Sequence, residues 1–170
     1  MYGTLISTQT LASTTLGVTF SSIPATYTDL VLVVSLRDAG AVVQSSFAVT
    51  AINGDTGATS YVSKKLQGTG SSVGSGSQTA AYVVSQTVPG ASATANTFGN
   101  AIITFPNYTS STAKVFSIDA VMENNATASY QEIVAGSWVG TAAINAIKID
   151  YGNSGFVAGS VLSLYGLSHF

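Results

Sequence analysis

Apolar residues recur at every second position through most of this chain, and no segment repeats them at the spacing of a helix. Residues 113–122 show it most cleanly: Phe116, Ile118, Ala120 and Met122 fall on one face, and Ser117 and Asp119 on the other. Residues 29–37 place Leu30, Leu32, Val34 and Leu36 on one side and Val31, Val33 and Ser35 on the other. Apolar residues on both sides of its first half predict a central strand covered on both faces. Pro24, just before it, marks a turn into the strand.

The same alternation predicts strands over 46–53, 59–66, 79–85, 98–105, 130–138, 143–150 and 160–165. Asn53-Gly54 accepts positive φ at low cost, so 46–53 and 59–66 read as partners in a hairpin. Residues 67–78 carry Gly68, Gly70, Gly74 and Gly76 among serines and read as a flexible loop. Residues 88–97, with Pro89 and Gly90, read as another. The expectation is a single all-β domain over 1–170, an antiparallel β-sandwich of jelly-roll type with eight to ten strands.

Composition narrows the function classes. Only 7% of residues are charged, against roughly 25% in an ordinary soluble domain. Net charge is −2, and Lys64-Lys65 is the only adjacent basic pair. Phosphate binding needs clustered Lys and Arg, so nucleic acid is not an expected partner. A chain this weakly charged, with mean hydropathy +0.40, is poorly protected from association, and part of its surface is expected to lie against neighbours. No cysteine is present, which excludes disulfides and thiolate metal sites. Residues 1–10 lack the basic region and long apolar run of a signal peptide. The aliphatic run 30–34 is too short to cross a bilayer, so no membrane partner is expected.

Residue types that carry chemistry are sparse. The single histidine, His169, is penultimate, a poor place to hold an imidazole rigid, and reads as an exposed or interface residue. Asp119 and Glu123 share strand parity, with Glu132 a possible neighbour, but solvated strand carboxylates are far commoner than catalytic pairs. The glycines of 67–78 lack the Gly-Lys-Ser/Thr ending of a phosphate loop, and no Gly-x-Ser-x-Gly elbow occurs. Asn53 with Asp55, and Asp150 with Asn153, could offer oxygens to calcium, although Asx-rich turns use the same residues for their own hydrogen bonds. Asn107-Tyr108-Thr109 and Asn125-Ala126-Thr127 match the glycosylation pattern, which means little without a secretory signal. Catalytic, cofactor and metal sites are therefore expected to be absent. Of the aromatics, including Tyr151 and Tyr165, the residues Trp138, Tyr130 and Tyr108 are the candidates for contact with a partner or a sugar.

Several stretches resemble small virion proteins of tailed phages. Residues 156–167, Phe-Val-Ala-Gly-Ser-Val-Leu-Ser-Leu-Tyr-Gly-Leu, are similar to the closing strand of phage decoration and tail-fibre proteins. Residues 23–32, Ile-Pro-Ala-Thr-Tyr-Thr-Asp-Leu-Val-Leu, resemble a strand lead-in near the start of the same group. Asn53-Gly54-Asp55 and Phe105-Pro106-Asn107-Tyr108 are similar too. The resemblance implies a jelly-roll decoration (cement) protein, a homotrimer on the capsid exterior that binds the major capsid protein and is assembled in the host cytoplasm. The alternative it implies is a tail-fibre, receptor-binding or carbohydrate-binding module.

Overall fold

Side-chain alternation buries one face of each strand, and two such faces close over each other as a sandwich. The computed structural model describes residues 3–123, 129–150 and 154–169, and these form twelve strands and no helix. Eight make one antiparallel sheet, in the order β1 (Thr4–Thr10), β12 (Val161–Leu167), β3 (Asp29–Leu36), β8 (Gly99–Phe105), β9 (Lys114–Met122), β10 (Tyr130–Trp138), β5 (Tyr61–Gly68) and β6 (Val73–Ala80). The other four make a smaller sheet, β2 (Gly17–Phe20), β11 (Ile147–Asp150), β4 (Gln44–Ile52) and β7 (Val83–Pro89). The all-β antiparallel sandwich expected from the sequence is the fold of the protein.

The core lies between the sheets. Leu30, Leu32, Val34 and Leu36 of β3 and Phe116, Ile118 and Ala120 of β9 join one buried cluster with Phe47 and Val49 of β4 and Ile147 and Ile149 of β11. Each large aliphatic or aromatic side chain so placed contributes roughly 1.5–3 kcal/mol. β3 is central, as its pattern predicts, with Val31 buried on its outer side as well. β7, an edge of the small sheet, packs across β8, β9 and β10, so β6 lies beyond the small sheet and packs principally on β5.

Three expectations are corrected. The Asn53-Gly54 turn forms, with φ of 53° and 79°, but it does not join a hairpin. β4 pairs with β11 and β7 in the small sheet, whereas β5 pairs with β10 and β6 in the large one. The chain changes sheets there because Asp55 folds the following residues back on themselves: its Oδ1 accepts hydrogen bonds from Gly57 N (2.9 Å) and Ser60 Oγ (2.8 Å). Secondly, 67–78 is no loop. β5 and β6 pair residue for residue from Tyr61↔Ala80 to Gly68↔Val73, around a turn in which Thr69 N donates to Ser72 O. Glycines 74 and 76 are tolerated because β6 is an edge. Thirdly, 79–85 divides, with β6 ending at Ala80 and β7 starting at Val83 in the other sheet. β1 and β2 have no counterpart among the expected strands, one being polar apart from Leu5 and Ile6 and the other four residues long.

The few charges are spent inside. Five of the twelve Lys, Arg, Asp and Glu side chains are buried: Asp29, Arg37, Asp38, Lys114 and Glu132. Arg37 donates to the carbonyls of Ala93, Thr94 and Thr97 and so pins the loop after β7. Lys114 Nζ donates to the carbonyls of Ser110, Thr112 and Thr141, and burial pushes its pKa below the usual lysine range. Only Lys64, Asp119, Glu123 and Lys148 remain as exposed charges.

Candidate functional site

Strand parity decides which candidate residues reach the surface. Trp138 ends β10 on the inward parity and is 4% exposed, its indole Nε1 donating to Asp55 Oδ2 at 2.7 Å. Tyr108 is fully buried; its hydroxyl donates to Pro24 O and accepts from Tyr27 N, and burial raises its pKa. Both rings belong to the core cluster. Tyr130, at the other end of β10, is half-buried beside a cleft of about 310 Å³ shared with Gly68, Val121 and Glu123. The three aromatics therefore do not assemble into one platform. Tyr165 sits on β12, and Tyr151 lies outside the described residues.

The carboxylates separate in the same way. Asp119 points outward from β9 and Glu123 is exposed beyond its end, whereas Glu132 is on the inward parity of β10 and fully buried. Glu132 Oε1 lies 3.3 Å from Lys65 Nζ, and Oε2 accepts from Ser85 Oγ and Gln86 N, both at 2.9 Å. Lys65 Nζ also donates to Gln86 Oε1 at 2.8 Å. A fully hydrogen-bonded ion pair thus ties β10 and β5 of the large sheet to β7 of the small one. Parity could have found it, since Glu132 alternates in step with Val134 and Trp138.

The Asx turns use their own oxygens. Asn53 Oδ1 accepts from Asn145 N and Ala146 N, and its Nδ2 donates to Ala143 O. Asp55 holds Gly57, Ser60 and Trp138, and those bonds, that from Gly57 first, lower its pKa. Asp150 pairs with Lys148, and Asn153 lies outside the described residues, as does the Asn125-Ala126-Thr127 motif. Among the described residues no three His, Cys, Asp or Glu side chains converge as metal ligands. His169 Nε2 approaches Asp29 Oδ2 at 2.9 Å on an exposed side chain.

What remains is the outer face of the eight-stranded sheet, which is exposed across β9, β10, β5 and β6. Its exposed residues include six large apolar side chains, Val73 (80% exposed), Val115 (60%), Ile133 (55%), Leu66 (53%), Val121 (42%) and Val62 (38%), interleaved with polar ones such as Ser117, Gln131 and Ser75. Ile133 stands directly between Leu66 and Asp119 in the register. Lys64 and Asp119 are the exposed charges on the paired strands, and neither makes a hydrogen bond or ion pair among the described residues. Scattered exposed apolar residues are ordinary, but a contiguous set crossing several strands marks a contact surface. Nothing in the sequence locates this face, because the residues that compose it come from strands joined only by the register. Comparison of the chain with protein-family models, with curated proteins and with solved structures returns no match.

Proposed function

We propose that this protein is a structural subunit of a phage virion, most specifically a decoration (cement) protein that binds the outside of the capsid shell and stabilises it. The observation that carries this reading is the outer face of the large sheet, broad, nearly free of charge and bearing exposed apolar side chains on several strands. A protein that works alone keeps such a face covered or charged. A subunit repeated in an assembly uses it for contact. The edges of the same sheet support the reading. β1 and β6 are long and contain neither charge nor proline, and β6 pairs with β5 without a bulge. Loops at the ends of the sandwich would grip the major capsid protein.

The experiment uses shells assembled without this protein by the phage that encodes it. Purified protein added to them should saturate at a fixed number of copies and raise the temperature at which the shells rupture. Shells that take up none at micromolar protein, or whose rupture temperature does not move at saturation, would remove the proposal.

A further inference from the structure

The exposed charges on the outer face of the large sheet are one positive and one negative group, and their positions are related. Asp119 lies on β9 opposite Ile133 of β10, and Lys64 lies on β5 opposite Ala135 of β10. The two charges therefore flank β10, one strand to either side, two residues apart along it. The relief of the face follows the same division. On the β9 side, Val33, Ile102 and Val121 border a shallow depression of about 370 Å³ that Asp119 also lines. On the β5 side, Leu66 and Val73 are exposed and border a smaller depression of about 210 Å³ with Ile133.

We infer that this face pairs with the same face of a second copy about a two-fold axis near β10, setting Lys64 of each copy against Asp119 of the other. Rotation about such an axis exchanges β9 with β5 and β8 with β6. Val73 of one copy then comes over the depression beside Ile102 and Val121 of the other, Leu66 comes over Asp119, and Lys64 lies two residues along the strand from that carboxylate. The two-residue offset is about 7 Å along a strand, which the lysine stem spans. A two-fold contact must be self-complementary, and a face with one exposed charge of each sign meets that requirement. The overlap takes in five strands, β8, β9, β10, β5 and β6, which at about 4.8 Å spacing and about seven residues of about 3.4 Å each cover roughly 570 Å² per partner. The pair together then buries a little over the roughly 1,000 Å² that a specific interface needs.

The pairing specifies the assembly that the proposed function requires, and it replaces the three-fold arrangement implied by the phage resemblance. The two claims fail separately, because pairing is measured in solution without shells and shell binding is measured with them. The experiment is light scattering on a sizing column, over a concentration series, for wild type, Lys64→Asp, Asp119→Lys and the double reversal. Wild type should run at twice the chain mass of 17.2 kDa. Each single reversal should weaken pairing by at least about tenfold through like-charge contact, and the double reversal should restore it to within about threefold. Lys148→Asp, on the outer side of the small sheet, should leave pairing unchanged. A wild-type monomer at tens of micromolar, a three-fold mass, or single reversals that pair like wild type would each overturn the inference.

Discussion

The indole of Trp138 donates a 2.7 Å hydrogen bond to Oδ2 of Asp55, joining the end of β10 to the turn where the chain changes sheets. The same turn is fixed by Tyr61, whose hydroxyl donates to Asp55 O and accepts from Ile52 N, and whose pKa burial pushes up to about 12. Trp138 therefore holds the fold together. Trp138→Ala should cost about 3–5 kcal/mol from the lost ring and its cavity. Trp138→Phe should cost about 2 kcal/mol, mainly for the hydrogen bond to a charged acceptor. Urea unfolding gives both values, and an unchanged midpoint for Trp138→Ala would refute this role.

Acid should loosen the same turn. Hydrogen bonds from Gly57, Trp138 and Ser60 hold the Asp55 pKa below its ordinary 3.8. A carboxylate depressed in the folded state adds stability that is complete above the unfolded pKa and is lost as pH falls through the folded one. Stability should accordingly drop as pH falls below about 4, and Asp55→Asn should flatten that part of the profile. Chemical denaturation at a series of pH values checks this, and parallel wild-type and variant profiles would contradict it.

The Glu132–Lys65 pair predicts opposite outcomes for one substitution and for two. Glu132→Ala leaves the Lys65 ammonium facing a buried cavity and strands Ser85, and should cost about 3–5 kcal/mol. Glu132→Leu combined with Lys65→Met removes both charges and should recover most of that loss. A double variant as unstable as the single one would show that the hydrogen bonds to Ser85 and Gln86, rather than the charges, secure β7.

Gly136 tests packing without charge. It pairs with Phe116 across β10 and β9, and a Cβ at Gly136 would come within 2.5 Å of the Phe116 ring. That ring also packs on Phe105, with centroids 5.0 Å apart. Gly136→Ala should cost about 1–3 kcal/mol by overpacking. In the Phe116→Leu background the same change should cost clearly less, since the colliding ring atoms are gone. Equal costs in the two backgrounds would refute the contact.

Much of the fold was legible in the residues themselves. The alternation in β9 and β3 reports burial directly, because a side chain in a strand has only two directions to take. The Asn53-Gly54 turn was legible as well, since its positive φ selects those residue types. Pairing was not: nothing local in Tyr61–Gly68 says that its neighbour is β10 rather than β4. Gly-Ser composition concealed β6, whose strand conformation comes from pairing with β5 and not from its own propensity. The candidate surface was hidden for the same reason. Ile133 and Leu66 are far apart in sequence and adjacent only through the register, and Trp138 drew attention as an aromatic although its parity placed it inside.

The central claim is that the outer face of the large sheet is buried against a neighbour in the working protein. The chain has no cysteine, so a single Ile133→Cys thiol reports on the middle of that face, with Lys148→Cys as an exposed reference. The measurement is the rate of maleimide labelling of each variant across a concentration series and on saturated shells. The account predicts that the thiol at position 133 becomes protected as the protein associates, while the reference thiol labels at one rate throughout. Equal, unprotected labelling of both thiols under every condition would contradict it.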